Sequence, residues 1–384
     1  MGNKVLYVSN TDAFASGGGP QAVHAYLDAI IDIYGKENVT LMVAENCQIP
    51  EAYSFLDVFF VPNRNKIAIL SGLFVGKLSR FTDSIIEFLK SKKNEYSVCV
   101  INGGLTGGNI IRQVNGMGIK TVVIHHNYEV EYHKDNNTIF SFFGHYIGFV
   151  KKAEKESYQN ATDNFFLTKQ DLEKFERVYG GSRGNNKVIG TFDYKNREKE
   201  TLSHIEKDYD FVISGTLADY QTIVGIRNFV DNYLSVLMEQ VPSAKILITG
   251  RNPESFVNSL ETDHPTMFKI IPNPDKILEI VQRGKIYLCP VCIGGGLKLR
   301  AMDGLKCGLP VLVHENAARG YDYYIDKPYF RVYNDVESFK KGVVDLLVYL
   351  ANNPDSSKEI CQDYYNFFGY ISGLERFKQA LLAC

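Results

Sequence analysis

The sequence predicts an α/β protein built from two parallel-sheet domains. Short apolar, β-rich runs alternate with longer helical patterns along most of the chain. The alternation breaks once, over the polar and charged stretch 180–210, and then restarts. No sequence repeat or low-complexity segment competes with that reading, and at roughly 150 residues per domain a chain of 384 residues has room for two. With 45% hydrophobic and 22% charged residues it can bury a sizeable core. A net charge of −2 gives no global attraction to nucleic acid or anionic lipid, so any basic site must be local.

Taken in order, KVLYVS (4–9) reads as a buried strand, QAVHAYLDAIIDIYG (21–35) as a helix closed by Gly35, and NVTLMVA (38–44) as the next strand. SVCVING (97–103), IKTVVIHHN (119–127) and TDNFFLT (162–168) follow as strands, with helical stretches such as 78–93 and 107–116 between them. Near-continuous apolar runs of this kind suit strands covered on both faces. The segment 180–210 reads as the interdomain connection. Beyond it DFVISG (210–215) is a strand, VGIRNFVDNYLSVLMEQV (224–241) a helix, and AKILITG (244–250), FKIIPN (268–273), KIYLCP (285–290) and LPVLVH (309–314) are strands. A helical tail, roughly 357–383, closes the chain. The expected domains are 1–195 and 205–361, with the terminal helix (about 362–384) packing back on the first. Open parallel sheets bind ligands at the carboxyl ends of their strands.

The most informative stretch is CPVCIGGGLKLRAMDGLKCGLPVLV (289–313). A strand ends, three glycines follow, and LKLRAMDGLKC has helical spacing, with Leu297, Ala301, Gly304 and Leu305 on one stripe. Gly308 suits the position after the helix, and Pro310 stops it. A bare loop feeding a helix N-terminus would leave the N–H groups of Gly294, Gly295, Gly296 and Leu297 free to meet an anion, phosphate above all. Lys298 and Arg300 would add full charge in the first turn. The same spacing allows a blander outcome, in which Arg300 and Asp303 (i,i+3) pair on a solvated face.

This segment resembles the donor-site stretch of GT-B retaining glycosyltransferases of family four, in register through Gly294, Gly296, Lys298, Arg300, Asp303, Gly308, Pro310 and Val311. The resemblance implies two Rossmann-like domains facing a central cleft. It also implies that Lys298 and Arg300 hold the nucleotide diphosphate and act on the leaving group, while Asp303 binds the ribose. The chain departs from the pattern in the order of its basic pair, in having Asp303 rather than Glu, and in having Gly295 where many members carry an acid.

Other segments fit. SNTDAFASGGGPQAVHAYLDAI resembles the family's N-terminal glycine loop and places Gly18 and Gly19 toward the donor. VVIHHNYEVEYHKDN (122–136) resembles the H-N-x-E-x-x-Y segment, making His126 a catalytic candidate able to donate a hydrogen bond to a sugar hydroxyl. His125 should point to the opposite face. FVISGTLADYQTIVGIRNFV (211–230) resembles the strand and turn opening the second domain, where Gly215 and Thr216 would approach the donor. The Arg and Lys many members carry after that turn are missing here.

The activity so implied is metal-independent transfer of a hexose-type sugar from a nucleotide-diphosphate donor, a UDP-sugar first of all. It proceeds with retention to a hydroxyl of a glycan or lipid-linked acceptor in bacterial-type polysaccharide or glycoconjugate synthesis, with no cofactor beyond the sugar nucleotide and no nucleic-acid partner. A sugar-nucleotide epimerase and a non-catalytic sugar-nucleotide-binding subunit are the alternatives. Gly17, Gly19 and Ala22 also match a dinucleotide fingerprint, but that motif opens its helix directly after the strand, and here seven residues (10–16) intervene. The seven cysteines are scattered like reduced thiols, and the pair Cys289 and Cys292 lacks the second ligand pair of a zinc site. MGNKVLYVSN has no signal-peptide core, so a cytoplasmic location is expected. The aromatic stretch 138–158 leaves open whether it packs as core or rests on the inner face of a membrane.

Overall fold

The computed structural model describes residues 3–15, 17–63, 79, 81–92, 94–135, 144–195 and 205–382. The chain forms two compact units, Met1–Arg197 with Phe368–Cys384, and Glu198–Phe367.

The first unit holds β1 (Lys4–Ser9), β2 (Val39–Ala44), β3 (Asp57–Val61), β4 (Tyr96–Asn102), β5 (Lys120–His125), β6 (Asp163–Phe166) and β7 (Asn185–Val188). They form one sheet in the order β3-β2-β1-β4-β5-β6-β7, every ladder parallel. The chain runs outward from β1 to β3 and then returns to β4 on the other side of β1, so strand order reverses between β1 and β4. The central strands are apolar because both faces are covered: all six residues of β2 are buried. Leu6, Val8, Met42, Phe81, Ile85, Ile101 and Ile111 share one core cluster on this sheet.

The second unit holds β8 (Tyr209–Thr216), β9 (Ile246–Arg251), β10 (Phe268–Pro272), β11 (Gly284–Cys289), β12 (Val311–His314) and β13 (Phe330–Tyr333). Their order is β10-β9-β8-β11-β12-β13, again all parallel. Here the reversal falls between β8 and β11.

The edge strands β3, β7 and β13 have no counterpart in the sequence reading. Each is short and partly exposed; β7 (NNKV) and β13 (FRVY) lack the unbroken apolar run of a central strand, while β3 (DVFFV) carries its apolar run on a largely exposed strand. β7 lies inside the segment read as a connection, whose residues 196–204 are outside the described residues. The single helix expected over 224–241 is two, Tyr220–Asn232 and Leu234–Gln240. They divide at Tyr233, whose ring packs on Tyr333 and Phe339 at 5.1 and 4.9 Å. The stretch 107–116 is likewise broken, into a 3-10 turn, Gly108–Ile110, and a helix, Ile111–Gly116.

Of the aromatic stretch 138–158, residues 138–143 lie outside the described residues. The rest belongs to the helix Gly144–Asn160, which buries Val150 and Tyr158 in an aromatic cluster with Phe166, Phe175 and Tyr179. Among the described residues no helix is long and apolar enough to cross a membrane.

The helix Tyr370–Leu382 packs in the first unit, with Phe377 stacked on Tyr26 at 5.5 Å. Gly373 permits this approach, since a Cβ there would lie 2.0 Å from Cγ of Phe192. Gly373→Ala is therefore expected to destabilise the first unit by about 1–3 kcal/mol through overpacking, despite alanine's advantage of about 1 kcal/mol in helices. A lowered calorimetric transition checks it.

Candidate functional site

In the second unit the strand reversal brings the turn after β8 beside the loop after β11, the crevice position in sheets of this kind. Gly215, next to last in β8, has φ +147, and a Cβ there would come within 2.7 Å of Nε of Arg300. The guanidinium thus lies against bare backbone, and only glycine fits. Arg300 Nη2 donates to Asp219 Oδ2 at 2.9 Å, whereas Nη1 is buried with no partner. The alternative Arg300–Asp303 pairing of the sequence reading is replaced by this contact with Asp219.

The glycine loop differs from its expected form. The helix runs only over Arg300–Lys306, so Gly294–Gly296 do not feed it directly and Lys298 precedes its first turn. Gly294 and Gly296 have φ of +88 and +73, which curls the chain before it can enter the helix. Gly294 and Gly295 offer their carbonyls inward: the first accepts from Asn316 Nδ2 at 2.9 Å, the second from Lys298 Nζ at 2.7 Å. Lys298 Nζ also donates to Gln221 Oε1 at 2.8 Å, and its own carbonyl accepts from the buried Tyr321 hydroxyl at 2.7 Å. Among the described residues, the N–H groups of Gly294, Gly295, Gly296 and Leu297 have no hydrogen-bond partner, although the three glycines are buried. Buried N–H groups left unpaired are rare, and here three on buried glycines and one on the half-buried Leu297 follow one another beside two cations, an arrangement whose chemistry suits an anion.

Burial, helped by repulsion from Arg300 and Arg319, pushes the Lys298 ammonium down to about 8. Asp303 is half-buried one turn into the helix, and Thr216 is exposed at the end of β8. Of the residues singled out from sequence, Gly215, Gly294, Gly295, Gly296, Leu297, Lys298 and Arg300 thus assemble around one spot. The sequence reading missed Asp219, Gln221, Asn316 and Tyr321. The first two stand at the start of the helix Tyr220–Asn232, where the resemblance leads one to expect cations.

His126, Gly18 and Gly19 belong to the first unit. Gly18 and Gly19 are exposed in the first turn of the helix Gly18–Tyr34, whose N-cap Gly17 provides no side-chain cap. His126 follows β5 and meets Asn102 at the end of β4. The Tyr7 hydroxyl donates to the Val23 carbonyl (2.9 Å) and accepts from Asn102 Nδ2 (2.6 Å), so Asn102 Oδ1 faces His126 Nε2. That polarity makes Nε2 the protonated nitrogen and leaves Nδ1 as an acceptor. The expected donation from His126 to a sugar hydroxyl is therefore reversed: Nε2–H is committed, and a hydroxyl would donate to Nδ1. Burial holds the ring near pKa 4, neutral at ordinary pH. His125 turns to the other side, buried against Phe166 and bonded through Nε2 to Asn164 at 2.9 Å.

Beside this segment lies a buried acid pair. Glu154 accepts from Glu129 N–H at 2.7 Å and from the Tyr179 hydroxyl at 2.6 Å. Burial pushes Glu154 up to about 8 and Glu129, near Asp171, up to about 7. Among the described residues no group of three His, Cys, Asp or Glu could hold a metal.

No family model matches the chain, and no curated protein matches it. Solved structures do. Sucrose-phosphate synthase from Thermosynechococcus elongatus superposes with a TM-score of 0.67 at 13% identity, covering 98% of each chain. WaaG, a glycosyltransferase involved in lipopolysaccharide biosynthesis, gives 0.65 at 12% identity, covering 99% of this chain and 100% of its own. Anabaena HepE, solved in complex with UDP-glucose, gives 0.61 at 10% identity, covering 99% of this chain and 100% of its own. At these identities the likeness establishes fold, and the two Rossmann-like units are those of the GT-B fold expected from the sequence.

The buried acids give a prediction. The folded protein keeps protons on Glu154 and Glu129 that the unfolded chain releases near pH 4.5, so stability falls as pH rises from there to about 8. In Glu154→Gln, calorimetric melting of the first unit is expected to decline less over that window than in the unsubstituted protein.

Proposed function

We propose that this protein is a glycosyltransferase that takes a sugar from a nucleoside-diphosphate donor, a UDP-sugar, and passes it with retention to a hydroxyl of a glycan or lipid-linked acceptor without a catalytic metal. The observation that carries the reading is the set of four unpaired N–H groups at Gly294–Leu297 next to Lys298 and the unpartnered Nη1 of Arg300. Such donors suit the diphosphate, and they grip harder as its charge grows on breaking the anomeric bond, which is how differential binding accelerates a reaction. The similar structures that contain UDP-glucose or are named as glycosyltransferases support the same class.

In this mechanism the acceptor hydroxyl attacks the anomeric carbon on the leaving-group side. The carbon–oxygen bond to the diphosphate breaks, and the departing phosphate takes the hydroxyl proton. Gly215 and Thr216 border the donor, Asp303 contacts the ribose, and Gly18 and Gly19 offer first-turn N–H groups to it. His126 Nδ1 accepts from a substrate hydroxyl.

Melting in the presence of UDP, GDP, ADP or CDP identifies the base: the cognate nucleotide at 100 times its dissociation constant adds about 2.7 kcal/mol. Lys298→Ala and Arg300→Ala are each expected to lower turnover roughly 100- to 1,000-fold with melting in the free state unchanged; near-normal rates in both would remove the diphosphate assignment. An anion favours the charged form of Lys298, so nucleotide affinity is expected to fall as pH rises through about 8. Lys298→Arg should flatten that dependence in calorimetric titrations.

A further inference from the structure

We propose that Asp219 is a built-in counter-ion that competes with the nucleoside diphosphate for Arg300, loosening donor binding and helping the diphosphate product to leave. This rests on the reading of 294–300 as the diphosphate site.

Asp219 is the N-cap of the helix Tyr220–Asn232, a position where aspartate ordinarily accepts a hydrogen bond from the helix's own N–H groups. It makes no such bond. Its Oδ2 instead takes Arg300 Nη2 at 2.9 Å, with the Thr222 hydroxyl at 3.5 Å. The helix thus forgoes a stabilising cap and sets a negative charge beside a concavity made of unpaired N–H groups and cations. The contact is half open to water, the Asp219 side chain being 37% exposed and that of Arg300 20%, so an entering anion can displace it. Lys298 is held differently, by the neutral Gln221 amide oxygen, which offers no comparable competition. The two side chains therefore divide the work. Gln221 positions one cation, while Asp219 neutralises the other until phosphate arrives and pairs with it again when phosphate departs. Two anions on one guanidinium repel, so the carboxylate lowers affinity for the ligand even as it holds Arg300 in place.

The two roles predict opposite signs. UDP affinity is measured by isothermal titration on the full chain for the unsubstituted protein, Asp219→Asn, Asp219→Ser and Arg300→Ala. A competing counter-ion predicts that Asp219→Asn tightens UDP binding about tenfold, and that Asp219→Ser, whose hydroxyl suits the N-cap position, tightens it as well. Unchanged or weaker binding in both, with Arg300→Ala abolishing binding, would show that Asp219 merely positions the arginine and would overturn the competition while leaving the diphosphate site intact. UDP binding that ignores Arg300→Ala, or its absence from the unsubstituted protein and both Asp219 variants alike, would overturn the site and the counter-ion role together.

Discussion

An N–H group removed from water without a partner costs on the order of 1–3 kcal/mol, and the bend at Gly294–Leu297 carries four unpaired ones in succession, three of them on buried glycines. The bend is held in a lopsided state. The carbonyls of Gly294 and Gly295 are bound, by Asn316 and Lys298, and that of Lys298 by Tyr321. These acceptors are satisfied while the donors of the bend are not, which biases the loop toward presenting N–H groups. Lys298 feels the same imbalance, since burial and its cationic neighbours depress its ammonium. A site short of negative charge on both backbone and side chains is most completely relieved by a multivalent anion.

Holding that bend open depends on backbone approaches that only glycine permits. A Cβ on Gly250 would sit 1.7 Å from the Gly215 carbonyl oxygen, and one on Gly225 would lie 2.8 Å from that of Pro290. The first lets the ends of β8 and β9 close up; the second lets the helix Tyr220–Asn232 lie on the chain leaving β11. That helix carries Gln221, and Asp219 stands at its N-cap position. Its height above the sheet therefore determines whether both side chains reach the two cations. The concavity is a consequence of sheet packing at the strand reversal as much as of its own residues.

Much of this was legible in the sequence where the signal is local. β1 coincides with the run 4–9, and the other central strands fall within one or two residues of their apolar runs, because burial on both faces writes hydrophobicity into every position. The edge strands β7 and β13 escaped because short, partly exposed strands have no such run, whereas the edge strand β10 was legible in FKIIPN; the break at Tyr233 escaped because its cause is a ring packing on Tyr333 and Phe339, distant in sequence. The glycines and the two basic residues were visible as a cluster. Asp219 and Gln221 were not, because an acid and an amide at the start of a helix are commonplace by themselves, and their role as partners shows only where Arg300 and Lys298 reach them. The start of the short helix was also hidden, since positive φ at Gly294 and Gly296 is a tertiary choice that three consecutive glycines allow without dictating.

The hydrogen-bond polarity in the first unit bears on how the proposed transfer would dispose of its proton. The Val23 carbonyl can only accept, so the order Val23–Tyr7–Asn102–His126 has one direction and ends with Nε2–H spent on Asn102. The remaining Nδ1 can take a hydrogen bond, but a ring held near pKa 4 is a poor proton acceptor at neutral pH, each unit of shortfall costing about 1.36 kcal/mol. Of the raised carboxyls of the same region, Glu154 is taken up by the Glu129 backbone N–H and the Tyr179 hydroxyl, and the Glu129 carboxyl lies 3.7 Å from His133. Under the proposed function, then, His126 orients a hydroxyl and leaves its proton to the departing phosphate. The cations of the second unit would favour the leaving of that phosphate, and a counter-ion at Asp219 would govern how long it stays.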